Sequence, residues 1–152
     1  GVEMQTSVVS NSIVDNSKSD DIGAVAIYAS GIITFRRCQF TNLSSLHSSA
    51  IYAYGKSLAD SLTVNLEDCK FEANFASGAV YMLSNSDLSL LNTSNCVFNT
   101  NRSSGVRLEK STWVDELSLF IASASELPPV AYFLSSSKSF LHKTTISGNT
   151  RL

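Results

Sequence analysis

The sequence predicts an all-β fold, a right-handed parallel β-helix of about five coils with three short strands in each coil. A run with an apolar centre and a following asparagine recurs along the chain, most clearly as RCQFTN, DCKFEAN and NCVFNTN. A second motif, AIY or a close variant, recurs in step with the first. The steps from Phe40 to Phe71 and from Phe71 to Phe98 are 31 and 27 residues. A period in this range is typical of a solenoid or an array.

Each coil contains three strand signals in a fixed order. The first ends near the AIY motif, and the third is centred on the CxF motif. Between them, apolar and polar residues alternate, as at Leu62, Val64 and Leu66, with the period of a half-buried strand. In the fourth coil we assign this middle signal to residues 117–121. No run of ten or more residues has the single apolar face that a helical solenoid requires.

Equivalent residues on successive coils are expected to stack about 4.8 Å apart. The predicted apolar ladder consists of Ile13, Phe40, Phe71, Phe98 and Ile146. The step from Phe98 to Ile146 is 48 residues, as if one copy of the motif had degenerated. Small buried residues are predicted two positions before each phenylalanine, at Cys38, Cys69 and Cys96.

A second structural ladder is predicted at the turn that follows the CxF motif. Asparagine tolerates the left-handed backbone of such turns and hydrogen-bonds the backbone locally. The expected members of this ladder are Asn16, Asn42, Asn74, Asn101 and Asn149.

Composition excludes several classes of function. Charged residues make up 16 % of the chain and the net charge is −2, whereas an ordinary globular protein has roughly 25 % charged residues. Lysines and arginines are scattered, so nucleic acid is not an expected partner. No apolar run reaches the roughly 18 to 20 residues that cross a bilayer. His47 and His142 stand alone and no CxxC pair occurs, so neither a metal nor a cofactor is predicted.

Residues 1–152 are interpreted as a single β-helix segment, expected to belong to a longer chain. Copies of the repeat lie near both termini, and an uncapped β-helix exposes unpaired strand edges. Neighbouring subunits or other protein partners are therefore expected at both ends.

The tyrosines give the only repeated candidate for ligand contact. They recur near one corner of the coil, where Arg107 takes one of the tyrosine positions, and the set is Tyr28, Tyr52, Tyr54, Tyr81 and Tyr132. If they face outward, they form a row of rings suited to stacking on sugars or on a partner protein. If they face inward, they belong to the core. Ile27, Ile51 and Val80 directly precede three of them, and strand alternation sends the two neighbours to opposite faces. Buried isoleucines would therefore turn the tyrosines outward, whereas a turn directly after the motif would rotate them inward.

Carboxylates were considered as catalytic groups, since a glycosidase needs two that face each other at about 5 to 9.5 Å. The adjacent pair Glu67 and Asp68 lies one coil from Arg36 and Arg37, so a solvated cross-strand ion pair is expected instead. Three glycosylation sequons begin at Asn42, Asn92 and Asn101. An asparagine packed in a ladder cannot carry a glycan, so Asn92 is the predicted acceptor.

The paired motifs resemble a known repeat. SGAV at residues 77–80, with FEAN at 71–74 and FNTN at 98–101, is similar to the repeats of chlamydial polymorphic outer-membrane proteins. It also resembles the wider pectin-lyase-like superfamily of right-handed β-helices. The resemblance implies surface adhesion or extracellular scaffolding.

The predicted function is therefore a non-catalytic structural or adhesive module of an extracellular or cell-surface protein, which binds partner proteins or glycans. The alternative is a carbohydrate-active β-helix enzyme, a lyase or hydrolase that acts on acidic polysaccharide. A third interpretation is a component of an intracellular assembly, since stacked free thiols fit either compartment.

Overall fold

The computed structural model describes residues 5–20, 22–46, 50–55, 61–75, 78–86, 88–99, 104–121, 131–134 and 137–147. All regular secondary structure in these residues is β-strand. The strands form three sheets, and all neighbouring strands within a sheet are parallel.

The three sheets each take one strand from every coil. Sheet A consists of β1 (Thr6–Ser10), β4 (Gly31–Arg36), β7 (Leu62–Glu67), β10 (Leu90–Ser94), β13 (Thr112–Glu116) and β16 (Lys138–His142). Sheet B consists of β2 (Ile13–Asp15), β5 (Gln39–Thr41), β8 (Lys70–Glu72), β11 (Val97–Asn99), β14 (Leu119–Ile121) and β17 (Thr145–Ser147). Sheet C consists of β3 (Val25–Tyr28), β6 (Ile51–Gly55), β9 (Gly78–Ser84), β12 (Ser104–Glu109) and β15 (Ala131–Leu134).

This arrangement is a parallel β-solenoid, which confirms the predicted fold class. Each strand pairs with the strand three positions later in the chain, so the backbone passes through the three sheets in turn and then repeats. The stack makes about four turns, slightly fewer than the five coils expected.

The centre of the solenoid contains a stack of phenyl rings on sheet B. Phe40, Phe71, Phe98 and Phe120 lie in register, with ring centroids 5.0, 4.7 and 4.5 Å apart. Adjacent ring planes are within 6° of parallel. All four side chains are buried, and the two inner rings, Phe71 and Phe98, each lie between the rings of the coils above and below.

Two register assignments made from the sequence are wrong. Phe40 pairs with Val14 and not with Ile13, and the Ile13 side chain is 70 % exposed. The copy that looked degenerate is Phe120 in β14, which pairs with both Phe98 and Ile146. Residues 117–121 therefore form the corner and strand of sheet B, and the middle strand of that coil is Thr112–Glu116.

The corner between sheets A and B uses left-handed backbone at chemically different residues. Their φ angles lie between 51° and 62°. The corner residues are Asn11, Arg37, Asp68, Asn95, Leu117 and Lys143. The chain is held there by backbone hydrogen bonds to the next coil, such as Arg37 N–H to the Glu67 carbonyl at 2.8 Å.

The asparagine ladder splits into two arrangements after sheet B. Asn16 and Asn42 adopt left-handed backbone, but in the next coil Ala73 takes that conformation instead of Asn74. Asn74 is fully buried, and its amide accepts from Leu43 N–H and donates to the Phe40 carbonyl, both at 3.0 Å. The one-residue insertion in FEAN thus turns a surface corner residue into an internal backbone bridge. Asn101 and Asn149 lie outside the described residues.

Candidate recognition face

The outward side of sheet C brings tyrosines together in two adjacent columns. Inward positions of the same strands hold Ile27, Ile51 and Val80, all buried. The first outward column is Ala26, Tyr52, Tyr81 and Arg107. The second outward column is Tyr28, Tyr54, Leu83 and Glu109.

The sequence predicts that the tyrosines of successive coils occupy one equivalent position, and this register is wrong. Tyr28 pairs with Tyr54, whereas Tyr52 pairs with Tyr81. The AIY motifs of these two coils are offset by two residues, because Val25 and not Ile27 lies opposite Ile51. A shift of two residues preserves the face of a strand, so the tyrosines stay on the same side of the sheet.

The four described tyrosine side chains form one continuous group, which we call the aromatic face. The Tyr28 ring lies 6.0 Å from that of Tyr52 and 6.1 Å from that of Tyr54. The Tyr52 and Tyr81 rings meet edge to face at 5.4 Å. Exposure falls from 56 % at Tyr28 to 6 % at Tyr81, with Tyr52 and Tyr54 half-buried between them. Only the backbone of Tyr132 is described, in register with Arg107.

Polar groups fix the buried side of the aromatic face. The Arg107 guanidinium lies over the Tyr81 ring, 4.5 Å from its centroid. The Tyr81 hydroxyl donates to a Glu109 carboxylate oxygen at 3.1 Å. Burial raises the pKa of Tyr81, and the hydrogen bond to Glu109 acts in the same direction while Arg107 opposes it. The sequence had placed Arg107 at a tyrosine position, but it gave no signal that Glu109 would hold the Tyr81 hydroxyl.

The aromatic face is rigid where it joins the sheet and accessible at its edge. The Asn85 amide donates to the Tyr54 hydroxyl at 3.0 Å, so the hydroxyls of Tyr54 and Tyr81 are each hydrogen-bonded to a neighbouring coil. Tyrosine loses little side-chain entropy on binding and offers both an apolar ring and a polar tip. The exposed Tyr28 ring, backed by Tyr52 and Tyr54, has the chemistry to stack on a sugar ring or on an apolar group of a protein.

The cysteines lie on the inner side of the solenoid. Cys38, Cys69 and Cys96 are buried and none is in a disulfide. Each thiol donates to a carbonyl of the preceding coil, as Cys69 does to Phe35 at 3.4 Å and Cys96 to Leu66 at 3.3 Å. The hydrogen bond with Cys69, together with burial, raises the pKa of Cys96. The Cys96 thiol is therefore a poor nucleophile at neutral pH, whereas the same hydrogen bond lowers the pKa of Cys69.

The predicted cross-strand ion pair is present on the outer side of sheet A. Arg36 and Glu67 are in register, and Nε of Arg36 lies 2.6 Å from a Glu67 carboxylate oxygen. Glu67 raises the pKa of Arg36 through this hydrogen bond. The adjacent Asp68 accepts from the Asn95 amide at 2.8 Å. Both members of the carboxylate pair are thus engaged by the neighbouring coils.

A buried carboxylate that the sequence did not single out lies inside the solenoid. Asp115 is fully buried and accepts hydrogen bonds from the hydroxyls of Thr93 and Thr144. The Trp113 indole donates to Thr93 at 2.8 Å and so extends the network. Asp115 occupies the inward position that Leu66 occupies two coils earlier. The replacement of an apolar residue in this column is the only sequence signal that could have identified Asp115 as a buried carboxylate.

Among the residues that the structure describes, no group of three or more His, Cys, Asp or Glu side chains is placed to hold a metal ion. No helix in the same residues is long and apolar enough to cross a membrane. No family model, no curated protein and no solved structure matches this chain.

Proposed function

We propose that this chain is a non-catalytic recognition module of an extracellular or cell-surface protein, which binds partner proteins or glycans through its long faces. One observation carries the proposal, namely the aromatic face on sheet C. Tyr28 is 56 % exposed while it contacts two other tyrosine rings. Large exposed aromatic side chains in a contiguous group are typical of interaction sites.

The architecture supports a binding role because a solenoid presents a long, regular surface. We propose that the chain is related to the repeats of polymorphic outer-membrane proteins and to pectin-lyase-like β-helices. The FEAN copy of the shared motif supports this proposal, because Phe71 lies in the ring stack and Asn74 bridges two coils. Each of these two residues therefore contributes to the stacking of neighbouring coils.

Neighbouring subunits are a second proposed kind of partner, at the first and last strands of the stack. The outermost strands of sheet A carry apolar side chains, and Val8 and Phe140 are each 60 % exposed. Strand edges that have no partner among the described residues, with apolar side chains beside them, favour association. A Phe140→Asp variant should shift the protein toward the monomer in light scattering, and an unchanged concentration dependence of mass would contradict this.

The aromatic face is tested with an array of neutral and acidic oligosaccharides. We expect Tyr28→Ala to weaken binding about tenfold, since one aromatic contact contributes about 0.5–1.5 kcal/mol beyond burial. Leu117→Ala is the matched control, because Leu117 is 50 % exposed but lies at the corner between sheets A and B. Equal losses in the two variants, or no bound oligosaccharide, would refute glycan binding at this face.

The enzyme alternative is separated by product release. Acidic polysaccharides are incubated with the protein, with and without Ca²⁺, and reducing ends and unsaturated products are measured. Turnover that disappears in Glu67→Gln or Asp68→Asn would overturn the non-catalytic proposal. A chain that only binds leaves the substrate unchanged in every sample.

A further inference from the structure

We propose that Asn42, in the sequon Asn42-Leu43-Ser44, is the N-glycosylation acceptor of this chain. The proposal rests on the extracellular location proposed above. It reverses the choice made from the sequence, which excluded the turn asparagines because they were expected to be packed in a ladder. The structure separates Asn42 from Asn74, since Asn74 is fully buried and Asn42 is exposed.

The corner at Asn42 has room for a glycan on a fixed backbone. Asn42 directly follows β5 and has φ of 53°. Its backbone N–H donates to the Glu72 carbonyl at 3.1 Å, which ties the corner to the next coil. The side-chain amide donates to the exposed Asp15 carboxylate at 3.2 Å. Solvent lies on the other side of the amide, in the position that a surface glycan requires.

N-glycosylation leaves the hydrogen bond from Asn42 to Asp15 in place. Nδ2 attacks the anomeric carbon of the first sugar in a lipid-linked diphospho-oligosaccharide. The N–C bond forms, the bond between the sugar and the diphosphate breaks, the lipid diphosphate leaves and Nδ2 loses one proton. The second amide hydrogen remains on Nδ2 and still reaches Asp15. A glycan at this corner is therefore compatible with the folded structure.

The two residues that follow Asn42 determine whether the glycan can be transferred before or after folding. In the folded chain Leu43 is fully buried, and its N–H is bound to Asn74. The Ser44 N–H donates to the Ser17 carbonyl at 3.1 Å. The sequon is thus locked between two coils once they have stacked. We infer that the glycan is added before this corner folds, and that the finished fold then presents it to solvent.

Asn92 has the opposite environment. It lies in the middle of β10, with β7 and β13 on either side. Its amide donates to Asn65 at 2.9 Å, and Asn65 in turn donates to Thr34, which is only 7 % exposed. A glycan on Asn92 would cover these outward side chains of sheet A. The third sequon, at Asn101, lies outside the described residues.

The test is secretion of the chain from a mammalian cell line behind a heterologous leader. Intact mass before and after peptide N-glycosidase F, followed by peptide mapping, gives the occupied site. We expect a glycan that disappears completely in Asn42→Gln and in Ser44→Ala. It should remain in the matched controls Asn92→Gln and Asn101→Gln.

Each other outcome overturns the proposal. A glycan that persists in Asn42→Gln places the acceptor elsewhere, and a secreted protein without a glycan means that the corner is not modified. Occupancy is read from mass alone, so it does not depend on ligand binding by the aromatic face. A glycosylated protein that binds no oligosaccharide would contradict the proposed recognition role and leave the assignment of Asn42 standing.

Discussion

Replacing Phe71 by alanine tests whether the phenyl stack holds the solenoid together. Phe71 is fully buried, and its ring lies between those of Phe40 and Phe98 at 5.0 and 4.7 Å. The substitution removes two stacked contacts at once. It also leaves a cavity between coils that are held in place by their backbone ladders, so the site cannot easily collapse.

The expected loss in the free energy of unfolding is about 3–5 kcal/mol, the usual cost of a buried Phe→Ala change. Phe71→Leu separates the two contributions, because leucine fills much of the volume but cannot stack. Each aromatic pair is worth about 0.5–1.5 kcal/mol beyond burial, so loss of two pairs predicts about 1–3 kcal/mol for this variant. A domain has only about 5–15 kcal/mol of stability, so either loss is measurable.

The measurement is urea unfolding at equilibrium, followed by far-ultraviolet circular dichroism and by fluorescence of Trp113. The indole is buried and lies 5.7 Å from the Phe120 ring, so it reports on the same core. Leu88→Ala is the control, since Leu88 is 72 % exposed and an exposed substitution is expected to change stability by no more than about 0.5 kcal/mol. If Phe71→Ala and Leu88→Ala lose the same small amount, the stack does not stabilise the fold.

Three further predictions concern the polar residues of the repeat. Asn74→Ala should lower the free energy of unfolding by about 1–3 kcal/mol, because it leaves the buried Leu43 N–H unpaired and removes a hydrogen bond to the Phe40 carbonyl. Asn42→Ala, measured in the same urea series, should change it much less. Hydrogen bonds from Thr41, Asn42 and Asn16 lower the pKa of Asp15 below its ordinary value of 3.8, Thr41 having the largest effect. The stabilisation from Asp15 is therefore present above that value and lost as the pH falls through the folded-state pKa. The thermal midpoints of wild type and Asp15→Asn should accordingly converge below about pH 4. Midpoints that differ by a constant amount across this pH range would contradict the prediction. All three thiols should react with DTNB only after denaturation, and rapid labelling of the native protein would show that the cysteine ladder is open to solvent.

The sequence predicted the stacking of coils well because stacking repeats a chemical type at a fixed position. Phe40, Phe71 and Phe98 are alike in side chain and in spacing, and in the structure their rings are parallel. The same reasoning aligned the AIY motifs of successive coils, left the facing of the tyrosines open and placed Tyr28 two residues out of register. Alternation defines the face of a strand, whereas it does not define which neighbour a residue meets when strands shift by two.

The register errors have a physical cause at the corner before sheet B. The core residue lies three positions after the left-handed corner residue in every described coil, so Asn11 selects Val14 and Arg37 selects Phe40. Left-handed backbone favours asparagine, aspartate and glycine, and Arg37 and Leu117 are none of these. Backbone hydrogen bonds to the next coil hold such residues in that conformation, and this tertiary constraint cannot be read from one sequence.

The two ends of the aromatic face have different roles, one in the stability of the fold and the other in the proposed recognition. Tyr81 is buried, its hydroxyl is bound by Glu109 and its ring is covered by Arg107, so it forms part of the fold. Tyr28 adds no buried side chain to the core and leaves more than half of its surface in solvent. A repeat under selection for stacking alone has no need of that exposed ring. The outer end of the aromatic face is therefore where a change in binding can occur without loss of the solenoid, which makes Tyr28 the position at which the proposed function is most sharply tested.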